Sequence, residues 1–262
     1  MFNRERRVVI PDAAGGMDVI KMLPYLILVI GSIWPSPAQG LYIKECGKPS
    51  DVVFLLDSSG SIYKHEFERQ LAFVNSVIGE FDIAPTKMRV GAISFSNWAF
   101  LEFYLDTHRT KFEIQDAVIR VPHSRGDTNT AAALTFLKDN MFQFQHGGRP
   151  GVPRVAIVLT DGESNDPMQT AYVAEAARRM GIQIFAIGIG HKVNIAELKN
   201  IASYPPQQYM FHVASYDALK SIKDTVAIKA CEATTPKPIN TTPLPPDDSS
   251  EYFVVVVVVD IV

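Results

Sequence analysis

Cysteine is scarce in this chain: Cys46 and Cys231 are the only two in 262 residues. That count excludes the disulfide-dense scaffolds of small secreted domains. The six histidines do not cluster, and none of their spacings suits a zinc site. Basic runs are missing as well. None exceeds Arg4-Glu5-Arg6-Arg7, and 25 Lys plus Arg against 28 Asp plus Glu leave a formal net charge of −3, so no nucleic-acid partner is expected. No apolar run reaches the ~20 residues of a membrane-spanning helix. Dinucleotide binding fails on one residue: in the stretch after Gly188-Ile189-Gly190, Val193 stands where the fingerprint's third glycine belongs. No Ser, His and Asp set has support as a catalytic triad.

What the chain does have, at 47% hydrophobic residues, is enough apolar material for one core of roughly 150–200 residues. The ends read differently. Residues 22–34 are apolar, preceded by Lys21 and followed by Pro35-Ser36-Pro37-Ala38-Gln39-Gly40. That is the pattern of a secretion signal. Residues 1–40 are therefore read as a signal peptide, with Met17 as an alternative start and the mature chain beginning near Leu41. An uncleaved anchor is disfavoured by the short run and the prolines after it. In a secreted chain Cys46 and Cys231 are expected to pair, closing a loop worth about 5 kcal/mol in the chain-entropy model. The folded domain is placed at 46–231. Residues 232–251 are rich in proline and threonine and read as an extended linker, with a glycosylation sequon at Asn240-Thr241-Thr242. Residues 252–262 form an apolar, β-prone tail, too short to span a membrane, to which no role is assigned.

Between these ends, strand-like runs alternate with helical patterns. The runs at 51–56, 88–95, 99–105, 155–159, 183–189 and 209–213 read as strands; 111–119, 130–142, 169–180, 196–202 and 216–229 read as helices. A helix also follows the first strand, because Phe67, Leu71, Val74 and Ile78 recur at spacings of three and four. Ala132, Leu134, Leu137 and Met141 are expected to face inward. Only Ser96-Asn97-Trp98 separates the second and third strands, so those two form a hairpin with the third at a sheet edge. The fold class is α/β: a doubly wound, mostly parallel sheet with one antiparallel edge strand and helices on both faces. In such folds a ligand sits beyond the carboxyl ends of the strands, at the switch point of the topology.

Polar residues fall at that edge. The first apolar run ends in Asp57-Ser58-Ser59-Gly60-Ser61, Thr128 lies in Gly126-Asp127-Thr128-Asn129-Thr130, and Asp161 follows the run at 155–159. Taken alone, the first of these is equally a polar turn that caps a helix. Together, Asp57, Ser59, Ser61, Thr128 and Asp161 make a hard, all-oxygen donor set suited to Mg²⁺ or Mn²⁺ rather than zinc.

The stretch from about Asp51 to Ala230 resembles the von Willebrand factor type A family, as found in integrin inserted domains, matrilins and several collagens. The resemblance rests on the family's metal-ion-dependent adhesion site, which reads Asp-x-Ser-x-Ser, a distant Thr and a distant Asp. All five positions are intact here. It implies that Ser59 and Ser61 ligate the cation through their hydroxyls, that Thr128 and Asp161 exchange direct and water-mediated roles, and that Asp57 stands behind them. A site of mostly neutral ligands leaves the cation electrophilic, so an acidic residue of a partner completes the octahedron. The resemblance also implies that ligand binding is linked to displacement of the last helix.

The expected function is thus a secreted adhesion module in the extracellular matrix, with no catalytic residues, engaging a matrix protein such as collagen or a cell-surface protein. Two alternatives belong to other classes. One is a matrix or biomineral scaffold that assembles without the metal. The other, a metal-dependent hydrolase, lacks its general acid, since Ser59 stands where aspartate-nucleophile phosphatases carry a second aspartate. Arg125-Gly126-Asp127 spells an integrin-recognition tripeptide, but it abuts Thr128, so its backbone is expected to be held in the site loop rather than displayed on a free tip.

Overall fold

The computed structural model describes residues 48–233. The expected signal segment, Cys46, the linker with Asn240 and the apolar tail lie outside the described residues. Within them, β1 (Ser50–Asp57), β2 (Met88–Phe95), β3 (Ala99–Phe103), β4 (Arg154–Thr160), β5 (Ile182–Ile189) and β6 (Met210–Val213) form one sheet in the order β3-β2-β1-β4-β5-β6. All neighbours are parallel except β2 and β3, which form the expected antiparallel edge. The order reverses at β1, whose chain continues to β2 on one side while β4 lies on the other, so the switch point falls between β1 and β4.

Every residue of β1 is buried. A strand covered on both faces needs no polar alternation, and its side chains divide by period two between two apolar layers. Val52, Phe54 and Leu56 pack with Phe67, Leu71, Val74 and Ile78 of α1 (Lys64–Gly79), with Ile114 and Val118 of α2 (Lys111–Ile119), and with Val226 and Ala230 near the carboxyl end. Val53 and Leu55 point the other way. They meet Leu134 of α3 (Thr130–Phe136), Val173 and Ala177 of α4 (Pro167–Arg179), and Leu198 of α5 (Ile195–Ile201). Helices therefore cover both faces.

Three boundaries differ from the sequence reading. The expected helix at 130–142 is α-helical only to Phe136 and widens into a π turn, Leu137–Met141, that keeps Leu137 and Met141 in the core. Ala132 is only partly buried; Ala131 and Ala133 are the buried alanines. β3 stops at Phe103 because Tyr104 N–H donates to the Thr107 hydroxyl and Thr107 N–H to the Tyr104 carbonyl, which turns the chain. After a one-turn helix, α6 (Pro206–Tyr209), and β6, the expected last helix is broken in two. A 3₁₀ segment, Tyr216–Ser221, comes first, and α7 (Lys223–Glu232) follows. The tighter winding sets Tyr216 and Leu219 one above the other on the core, whereas the α-helical part buries Val226, Ala227 and Ala230.

Candidate metal-ion site

β1 delivers Asp57 to the switch point with its side chain fully buried. Both carboxylate oxygens are taken by the protein: Ser59 N–H donates to Oδ1 at 2.9 Å, and the Thr160 hydroxyl donates to Oδ2 at 2.7 Å. The Asp57 carbonyl accepts from Gln70 Nε2 of α1 at 3.0 Å, which ties the end of β1 to the next helix. Asp57 is thus oriented by its neighbours, and it in turn fixes the loop that carries the two serines.

The serine hydroxyls lie 3.0 Å apart, and the Ser61 hydroxyl donates to Asp161 Oδ1 at 2.7 Å. Three of the expected donors, drawn from the ends of β1 and β4, therefore form one hydrogen-bonded chain. The loop of Thr128 is laced to the same place through its backbone. Gly60 N–H donates to the Gly126 carbonyl at 2.8 Å, Arg125 N–H to the Ser58 carbonyl at 2.7 Å, and Asp127 N–H to Asn97 Oδ1 at 2.7 Å. Thr128 and Asn165 exchange two bonds, Thr128 N–H to Asn165 Oδ1 and Asn165 N–H to the Thr128 carbonyl. The Thr128 hydroxyl takes no part in the serine chain. Gly126 has φ +104, and a Cβ there would meet Asn97 Oδ1 at 2.8 Å, so this position requires glycine. The Arg125-Gly126-Asp127 backbone is pinned on three sides, although its side chains are exposed.

Several residues that hold this arrangement escaped the sequence reading: Thr160, Gln70, Asn97, Asn165 and the buried Glu197, whose carboxylate accepts from Ser164 N–H in the loop after Asp161. Thr160 was the most accessible, since it directly precedes Asp161 at the end of an apolar strand. The others are single polar residues in segments with no motif, and only the fold brings them to the site.

The site concentrates negative charge. Burial pushes the Asp57 carboxyl up to about 6, against the lowering effect of its bonds from Thr160 and Ser59. The Asp161 carboxyl is also raised, first by burial and then by the charge of Glu66, with the Ser61 bond opposing. Burial disfavours the ionised form of both acids, and a cation beside them would stabilise it. The spacing fits as well. Octahedral Mg²⁺ has oxygens at about 2.1 Å, so adjacent ligands stand about 3.0 Å apart, close to the Ser59–Ser61 and Ser61–Asp161 separations. Among the described residues no three His, Cys, Asp or Glu side chains converge as a metal cluster.

A doubly wound sheet that gathers hydroxyls and carboxylates at its switch point defines a binding module of the α/β class. The chain belongs to the von Willebrand factor type A family, whose domain model matches residues 51–225. It is 37% identical over 200 residues to chicken matrilin-1, covering 75% of this chain and 40% of that protein. It is 35% identical over 206 residues to chicken integrin alpha-1, covering 74% of this chain and 71% of that sequence. Among solved structures, proximal thread matrix protein 1 of the mussel byssus, with zinc in its MIDAS motif, aligns with a TM-score of 0.68 at 26% identity over 71% of this chain and 49% of the mussel chain. The chain thus spans less than half the length of matrilin-1 and of the mussel protein. These relatives are matrix and adhesion proteins rather than enzymes.

Proposed function

We propose that this chain is a secreted adhesion module of the extracellular matrix, which holds Mg²⁺ or Mn²⁺ at the switch point and engages an acidic residue of a matrix protein such as collagen, or of a cell-surface protein. The observation that carries this reading is the chain Ser59–Ser61–Asp161, spaced like an octahedral edge and backed by buried Asp57. Ser59 and Ser61 would hold the cation through neutral oxygens, with Thr128 and Asp161 completing the protein's share. A bound divalent cation supplies an electrophilic position that a partner carboxylate can fill. The chain's own residues do the rest. Asp57 and Thr160 fix the serine loop, and Asn97 and Asn165 fix the loop of Thr128.

The surroundings suit a protein ligand. Tyr63, two residues beyond Ser61, is 69% exposed, and Trp98, in the hairpin turn whose Ser96 carbonyl accepts from Asn129 N–H, is 70% exposed. Exposed aromatic side chains beside a charged anchor are the usual composition of a protein-binding face. The Cys46–Cys231 disulfide belongs to the same secreted reading; Cys231 sits partly buried in α7.

The test is binding of immobilised collagen and other matrix proteins in Mg²⁺, in EDTA, and with Asp161→Ala or Thr128→Ala. Binding is expected to fall at least tenfold on chelation and with each substitution. Binding that withstands chelation and both substitutions refutes the metal-dependent reading and favours a scaffold that assembles without the metal.

A further inference from the structure

The sheet has a second pole. β1 and β2 run parallel, with Asp57 beside Phe95 at the metal-site end and Asp51 beside Arg89 at the other, so Arg89 stands about 20 Å from Asp57 along the strands. At that far end a recess of about 190 Å³ has Ile83, Pro85 and Leu105 in its walls, and Arg89, Arg109 and Asp106 supply its charge. Arg89 is half-buried and its guanidinium is fixed: Nε donates to the Pro85 carbonyl at 3.1 Å and Nη1 to the Gly147 carbonyl at 2.8 Å. No acid meets it. Among the described residues neither Arg89 nor Arg109 has a carboxylate within ion-pair distance, and Nη2 of Arg89 and the whole Arg109 guanidinium make no hydrogen bond. The neighbouring cations differ. Arg149 reaches the same Pro85 carbonyl at 3.3 Å but is matched by Asp51, and Lys87 is matched by Asp82. Lys111, two residues beyond Arg109, rests its ammonium on the Gly79 carbonyl at 2.6 Å and has no acidic partner among the described residues. Of the nearby acids, Glu113 is engaged by the amides of Arg109 and Thr110, whereas the Asp106 carboxylate accepts no bond from a described residue. His108 also borders the recess, its ring edge-on to Phe103 at 5.1 Å. Carbonyl dipoles orient the half-buried charge of Arg89 but do not neutralise it, and an anion in the recess would.

We propose that this recess is a second binding site, independent of the metal, and that it takes one sulfated unit of an acidic polysaccharide chain. Its volume is small beside the ~300–1,000 Å³ of pockets that enclose whole small molecules, so it suits one unit of a chain that continues past it. The sulfate lies between Nη2 of Arg89 and the Arg109 guanidinium, whose planar forks match the oxygens of an oxyanion. Asp106 is an acceptor in the same recess, so the ligand must bring hydrogen-bond donors as well as charge. A sulfated sugar carries both on one ring, and a run of acidic side chains does not. Ile83 and Pro85 take the apolar face of that ring, and Lys111 meets a further charge along the chain.

The experiment titrates the full chain calorimetrically with a heparin-derived hexasaccharide, its desulfated counterpart and a hexaglutamate peptide, at low salt, in Mg²⁺ and in EDTA. The sulfated hexasaccharide is expected to bind equally in both, within twofold, and to weaken as salt screens the charges. Arg89→Gln should lower its affinity about tenfold, the worth of a charge-assisted hydrogen bond. Arg109→Gln should lower it about fivefold, and because that side chain holds nothing in the fold, it carries the test even if thermal melts show Arg89→Gln to be destabilised. Affinity unchanged within twofold in Arg109→Gln overturns the proposal. So does absence of binding, or binding of the desulfated sugar as tight as that of the sulfated one. Hexaglutamate binding as tightly as the sulfated sugar makes the recess a peptide site and overturns the assignment of the ligand. Binding lost in EDTA or in Asp161→Ala places the sugar at the metal site instead.

Discussion

Replacing Asp57 with asparagine should make the metal-free protein more stable while destroying its response to metal. The carboxyl is fully buried, and its folded-state value of about 6 lies well above the 3.8 of an ordinary aspartate. At 1.36 kcal/mol per unit, holding it ionised costs the native state about 3 kcal/mol at neutral pH. Asparagine carries no such charge and fits the bonds on hand. Its Oδ1 still accepts from Ser59 N–H. Its Nδ2 faces the Thr160 oxygen, and the Thr160 hydroxyl, which already lies 3.3 Å from the Gly162 carbonyl, turns to donate there. Allowing for that rearrangement, Asp57→Asn should gain about 2 kcal/mol, or about 4–8 °C in melting temperature for a domain of this size. The sign with pH follows from the raised value. Between pH 4 and 6 the native state binds a proton that the unfolded chain releases, so the wild-type cost is complete above about pH 6 and gone below about pH 4. Melts in EDTA from pH 4 to 8 should therefore show two curves that converge as the pH falls. In millimolar Mg²⁺ the order should reverse, since only the wild type gains binding free energy. A variant less stable than wild type in EDTA at pH 7, or a gap independent of pH, would refute the claim that ionised Asp57 is a native-state cost that the cation offsets.

Two further outcomes separate the site from the scaffold. Arg149 bonds the buried Asp51 carboxylate through Nε, Nη2 and its backbone N–H at 2.7–2.9 Å, so Arg149→Ala should strand a buried charge and cost about 3–5 kcal/mol by urea unfolding; because Asp51 and Asp57 stand about 20 Å apart along β1, Mn²⁺ affinity should not change. Gly126→Ala forces a Cβ to within 2.8 Å of Asn97 Oδ1 at a φ of +104, so it should cost about 1–3 kcal/mol and, unlike Arg149→Ala, also weaken Mn²⁺ binding by displacing the loop of Thr128.

The layering of the fold was legible because burial leaves a period in the sequence. Phe67, Leu71, Val74 and Ile78 announce one face of α1, and the uninterrupted apolar run of β1 announces a strand covered on both sides. The edge hairpin could be read from a three-residue gap. What could not be read were places where packing, not propensity, sets the winding: the π turn at Leu137–Met141 and the 3₁₀ entry into α7 both keep chosen side chains on the core by changing the number of residues per turn. The site divides along the same line. Asp57, Ser59 and Ser61 share one loop, so their spacing carries a chemical message. Thr160, Asn97 and Asn165 carry none, because each meets the site through a contact 30 or more residues away in the chain. A donor set can thus be written in a short motif, but the groups that hold its charges in place are written in the topology.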